Sequence, residues 1–267
     1  MREPALNIPA IIVLYASFLL LVFLWQNQLQ TTAHMDIMMR YGFVPARLSI
    51  ILNTDSLNDI LNNINMIYDR RERQTNLTLA WQALGLNPLG IKQNADGISV
   101  VTTTVSYAFL HGSWSHVIMN TLWIVVFGTP VARRLGMVRI LILIVLTAIA
   151  GAFAHWAFNR FELIPMIGAS AVASGFTAAA IRFALGRPTD HGVFLSHTHA
   201  PLLSLRDLIA HRQAFAFIMV WLIMNFAFGI LSQPLGLTDS PVAWEAHLGG
   251  FIMGFVLIQI LDKTHTA

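Results

Sequence analysis

The sequence predicts an all-α, polytopic membrane protein with six helical spans. Two observations carry that prediction. Of the 267 residues, 56% are hydrophobic and only 11% charged, against roughly 25% charged in an average soluble domain. The apolar residues also gather into runs long enough to cross a hydrocarbon core, which takes about 20 helical residues. Most of the few charges, net +3, lie in the connections between the runs and form no basic face interleaved with aromatics, so no nucleic-acid partner is expected. Cysteine is absent, which excludes disulfides, thiolate metal sites and a cysteine nucleophile.

In chain order the spans read as Ile8–Trp25, Ser115–Val131, Met137–Phe158, Gly168–Leu185, Gln213–Leu231 and Val242–Leu261. Residues 1–25 form an N-terminal anchor, read as retained because no small-x-small cleavage pattern follows it in "QNQLQTTAHMD". Residues 26–113 form a long extracytoplasmic first loop, 114–262 carry the other five spans, and 263–267 are a short tail. Within the loop, the proline of "YGFVPARL" marks a turn, and Ile60, Ile64 and Ile67 recur at helical spacing in "LNDILNNINMIYDRRER". That spacing fits an interfacial amphipathic helix and an ordinary surface helix equally.

Orientation follows from the short loops. With the N-terminus cytoplasmic, Arg2, Arg133, Arg134, Arg139, Arg187, Arg206, Arg212 and Lys263 all fall inside, while Arg160 is the basic residue of the short outer loops. Both termini are therefore expected in the cytoplasm of a cell (inner) membrane protein. His197 and His199 in "DHGVFLSHTHA" lack a carboxylate–histidine pattern around them and read as solvated loop histidines. No metal is expected.

Polar groups inside spans are expensive and so are functional candidates by default. On this topology the second, fourth and sixth spans enter from the same side, beginning "HGSWSHVIMN", "GASAVASG" and "VAWEAHLGGFIMG". His116, Asn120, Ser170 and His247 then share one depth, and His116 and Asn120, four apart, share a helix face. Singly, a span serine is most often bonded back to its own helix and a histidine near a span end is most often an interfacial residue. The common level of all four favours a shared pocket. Small residues allow the approach: Ser170, Ser174 and Ala178 recur every four residues, and Gly250 and Gly254 have the G-x-x-x-G spacing of close helix pairs.

Such a set permits nucleophilic acyl transfer. A serine hydroxyl needs a base to take its proton, and a neutral imidazole can accept that proton and return it to the leaving amine. Ser170 is the candidate nucleophile and His247 the base. His116, Asn120 and the backbone N–H of Ser170 are candidate oxyanion donors. Glu245, two residues from His247, points to another side of its helix, so the expected unit is a dyad.

These residues resemble those of the rhomboid intramembrane serine proteases. The resemblance covers about Thr102 to Gln259 and rests on "FLHGSWSHVIMNTLWIVVFG", "GASAVASG" and "AHLGGFIMG", with the family-like "PVARRLG" after the second span. The family's usual G-x-S-G carries Ala171 in place of its second glycine here, and alanine keeps the backbone N–H. A tryptophan–arginine pair frequent in the family's first loop is not apparent. The resemblance implies a six-helix rhomboid-like bundle in the lipid bilayer, Ser170 as nucleophile and Ser174 as a packing residue. It further implies that His111 supports the first loop, with Gly168, Gly250 and Gly254 as supporting small residues. Cleavage in or beside the membrane segment of transmembrane protein substrates is implied too, with the fifth span and "SQPLGLTDSP" as a mobile gate and no cofactor. Nothing in the residues sets an oligomeric state.

Two other classes fit these residues less well. A catalytically inactive rhomboid-like module that binds or chaperones membrane proteins would not need both Ser170 and His247. A channel would line its whole thickness with polar groups, whereas these cluster at one end. Neither H-E-x-x-H nor G-x-G-D, the signatures of metallo- and aspartyl intramembrane proteases, occurs.

Overall fold

The structure, a computed structural model, describes residues 8–56, 59–60, 62–63, 97–184, 200–232, 234–235 and 242–262. Among these the chain is helical: α1 (Ala10–Asn27), α2 (Thr31–Tyr41), α3 (Pro45–Ile51), α4 (Gly97–Ser106, continued by one tight turn over Tyr107–Phe109), α5 (Trp114–Leu135), α6 (Met137–Phe158), α7 (Ser170–Ala184), α8 (Leu205–Ala210), α9 (Arg212–Leu231) and α10 (Trp244–Leu261). Helices α1, α5, α6, α9 and α10 are each long and apolar enough to cross a membrane. Their outward side chains, such as Leu14 and Leu21 of α1, Ile118 and Leu122 of α5, and Ile252 and Ile260 of α10, are exposed, as a lipid-facing surface requires.

The expected fourth span is α7, and it differs from the rest. It is made mostly of small residues, Ala, Gly, Ser and Thr, rather than of the large aliphatic ones that face lipid elsewhere. Every residue from Ala171 to Phe183 is buried. Being walled by other helices, α7 need not satisfy the polarity that lipid imposes, and alanine, glycine, serine and threonine can fill it.

Those small residues set the packing of the core. A Cβ at Gly250 would strike the carbonyl group and Cα of Ala171, and one at Gly254 would strike the backbone of Gly175. Helices α7 and α10 therefore meet backbone to backbone. From the other side α6 joins them, with Thr147 against Gly175 and the Ala150 carbonyl against Gly249.

Both ends of the bundle are tied. At the arginine-rich end, the buried Arg134 of α5 donates through Nε to Asp262 at 3.0 Å, binds the Ala200 carbonyl at 2.7 Å, and lies over the Phe183 ring. Arg182 of α7 donates to the carbonyls of Leu203 and Phe255 at 2.9 and 3.0 Å. At the opposite end, the segment around α2 and α3 docks on the connection between α6 and α7. Phe43 and Met166 exchange two backbone hydrogen bonds of 3.0 and 2.8 Å, the Ala46 N–H donates to the Glu162 carbonyl, and the Ser49 hydroxyl donates to the Arg160 carbonyl.

Ile60, one of the three isoleucines at helical spacing in the first loop, is buried against Val44 and Ala46. Ile64 and Ile67, with the amphipathic segment expected around them, lie outside the described residues, as do His197 and His199.

Two substitutions test this packing. Gly254→Ala should destabilise by about 1–3 kcal/mol, the usual cost of overfilling a packed contact. Asp262→Asn should cost more, up to the ~3–5 kcal/mol of a broken buried ion pair. Both are read as lowered midpoints of unfolding in detergent, and a midpoint equal to the parent's for Gly254→Ala would contradict the close seam.

Candidate active site

The polar groups singled out in the sequence converge on the end of the bundle opposite the Arg134–Asp262 pair. Ser170 is the first residue of α7. The backbone contact between Ala171 and Gly250 comes one residue after Ser170 and three residues, nearly one turn, after His247. The serine and the imidazole thus start from the same level of two touching helices. Ser170, His116 and His247 are half-buried while Asn120 is buried. No hydrogen bond joins Ser170 and His247 among the described residues.

The two serines of α7 differ in what they do. Ser174 donates its hydroxyl to the Ser170 carbonyl at 2.8 Å and so is bonded to its own helix, as a packing residue would be. Ser170, at the helix start, has no preceding turn to bond to.

The residues before Ser170 are held on three sides. Gly168 has φ +118°, a backbone conformation only glycine adopts readily. A Cβ there would collide with the Nε2 and Cε1 atoms of His116 and touch the Nδ2 atom of Asn120. Its N–H donates to the Tyr107 carbonyl at 3.0 Å, and the Tyr107 hydroxyl donates in turn to the Ala148 carbonyl at 2.9 Å. The next N–H, of Ala169, donates to His111 Nε2 at 3.4 Å.

His111 is buried, and burial, with a smaller contribution from the His116 ring, holds its pKa down to about 3. It is therefore neutral and able to accept at Nε2. The resemblance implies support of the first loop for His111; the structure gives it the start of α7 to hold. Its own N–H donates to Gln26 Oε1 of α1 at 3.3 Å.

His116 and Asn120 project from the first turns of α5, which is capped by the Ser113 hydroxyl accepting from the His116 N–H at 3.2 Å. The four-residue spacing brings both side chains to Gly168. Asn120 Nδ2 is buried with no hydrogen-bond partner among the described residues. A buried unused donor is costly, and this one lies beside Gly168, two residues before Ser170.

His247 has a partner that the sequence motifs do not indicate. Its Nδ1 lies 2.6 Å from Oδ1 of Asn225 on α9. The available signal was a lone amide in the apolar run "FIMVWLIMNFAFGIL". Gln26 and Tyr107 also carry no motif, and their roles emerge only from contacts distant in sequence. Glu245 turns away from His247, as its register predicts: Asn159 donates to it at 3.2 Å and His155 of α6 lies 3.5 Å from it.

Comparison with known proteins identifies the family. The family described as Rhomboid domain matches residues 99–263. The rhomboid protease GlpG of Serratia proteamaculans (strain 568) is 29% identical over 163 residues, covering 61% of this chain and 49% of that protein. The proteins of the same name from Yersinia pestis (strain Pestoides F) and Yersinia pseudotuberculosis serotype O:3 (strain YPIII) are each 30% identical over 163 residues, with the same coverage. The chain spans about half the length of the curated relatives it matches. With the family matched from residue 99 to residue 263 of 267, and with its motif residues gathered at the start of one buried helix, this chain belongs to the rhomboid family.

Proposed function

We propose that this protein is an intramembrane serine endopeptidase that cleaves peptide bonds in or beside the membrane segments of transmembrane proteins. It sits in a cell membrane with both termini in the cytoplasm and the site open to the extracytoplasmic side. The observation that carries the reading is the unused, buried Asn120 amide beside His116 at Gly168, two residues before a serine whose helix touches the one bearing His247.

In this mechanism His247 takes the Ser170 hydroxyl proton as Oγ attacks the scissile carbonyl. Negative charge develops on the carbonyl oxygen, where Asn120 Nδ2, the His116 ring and the Ser170 backbone N–H donate to it. His247 then gives the proton to the departing amine, and a water activated by the same imidazole releases the acyl group from Ser170. Half-burial of Ser170 and His247 suits a water-accessible cavity at membrane depth, which is where non-apolar groups are tolerated. A substrate helix shields its own peptide bonds, so segments weakened by glycine or proline should be preferred. The chemistry calls for no cofactor.

Purified protein in detergent, given a fluorogenic membrane peptide, should cleave it, and Ser170→Ala should abolish cleavage. An activated fluorophosphonate should label Ser170, and His247→Ala should suppress that labelling. Turnover undiminished by Ser170→Ala would refute the assignment, and a folded protein that neither cleaves nor labels would instead be a client-binding member of the family. Asn120→Ala should lower kcat by on the order of 100-fold, the effect of removing one oxyanion donor, with KM little changed.

A further inference from the structure

We propose that Asn225 is a positioning residue for this reaction: its side-chain oxygen fixes His247 as the Nδ1–H tautomer and so leaves Nε2 as the free basic nitrogen. The proposal rests on the reading of His247 as the base and extends the dyad to a serine–histidine–asparagine relay of orientation.

The tautomer follows from two consecutive bonds. Asn225 Nδ2 donates to the Trp244 carbonyl at 3.2 Å. A carbonyl only accepts, so the nitrogen of the amide must face Trp244 and its oxygen must face His247. That oxygen also only accepts, so the ring nitrogen 2.6 Å from it must carry hydrogen. A neutral imidazole has one N–H, and Nε2 is then the nitrogen with a lone pair.

The helix that supplies the amide is built around it. Along α9 most large side chains are exposed, including Val220, Ile223, Met224 and Ile230, yet Asn225 is only 6% exposed. A polar group placed in an apolar span is expensive unless it is partnered, and this one is partnered twice. Aromatic contacts hold the register: the Phe226 and Trp244 rings are 4.6 Å apart, and Trp221 stacks on Phe251 at 4.4 Å. Glu245, the nearest carboxylate in sequence, is engaged by Asn159 and His155 and does not take this place. A neutral amide can hold Nδ1–H in both the imidazole and the imidazolium form, so the ring keeps its orientation through both proton transfers.

The ionisable groups within electrostatic range of His247 are His116 of α5, His155 of α6 and Glu245 on its own helix. All three are left intact by changes at Asn225. Asn225→Leu keeps a side chain of similar size without the acceptor, and Asn225→Asp restores an acceptor oxygen while losing the donor to Trp244.

For Asn225→Leu, kcat on the fluorogenic peptide should fall by on the order of 100-fold, the lower part of the range for a positioned general base, with KM within about twofold. Asn225→Asp should recover part of that loss at alkaline pH. Its acid limb should move to higher pH, because a carboxylate stabilises the imidazolium. Independently of turnover, nitrogen-15 NMR of histidine-labelled protein should show His247 with Nδ1 protonated and Nε2 unprotonated in the parent, and a mixture of tautomers in Asn225→Leu.

An Nε2–H tautomer in the parent would overturn the proposal. So would an unchanged kcat in Asn225→Leu, or a fall in kcat with no change of tautomer. If the parent itself neither cleaves nor labels at Ser170, the protease reading fails, while the NMR result still decides whether Asn225 holds the ring.

Discussion

The seam between α7 and α10 is the constraint on which the rest of the structure depends. Hydrophobic burial does not distinguish a neighbouring helix from lipid, so helices in a bilayer associate through close packing and hydrogen bonds. Here closeness is obtained by removing side chains: the Gly250 and Gly254 positions lie directly against the backbones of Ala171 and Gly175. Because the contact begins at Ala171, it also fixes the relative height of the residue before it and of the histidine one turn above Gly250. The packing that holds the bundle together is thus the packing that sets serine and imidazole at one level.

A second consequence concerns α7 itself. Once it is enclosed on all sides, it is freed from contact with lipid and can be built of small and polar residues. Its first residue then lies half-buried among α5, α10 and the connection after α6. The start of a helix has unpaired backbone N–H groups, which in lipid would be intolerable. Here the N–H of the capping residue Ala169 is met by His111, and that of Gly168 before it by the Tyr107 carbonyl.

The supports of these residues come from far along the chain. Gln26 of α1 reaches the His111 backbone, Phe43 pairs with Met166, and Asn225 of α9 reaches His247. Each is a hydrogen bond made at membrane depth or in a buried loop, where an unmade bond costs most. Two of them involve residues outside the segment that matches the family, since Gln26 and Phe43 precede residue 99. The N-terminal helix and first loop therefore take part in shaping the start of α7.

By itself the sequence determined the all-α class, five of the six expected spans and the small-residue seam, because lipid enforces long apolar runs and close helix contacts enforce glycine at a fixed spacing. His116, Asn120, Ser170 and His247 were legible as well, since polar groups in apolar runs stand out and their depths can be compared. Only the tertiary structure decided that α7 is enclosed, that His111 holds Ala169, and that Asn225 partners His247 while Glu245 turns to Asn159 and His155. A helix period tells which residues share a face, but not which face of another helix will meet it. Partnerships between residues tens of positions apart are set by how the helices assemble.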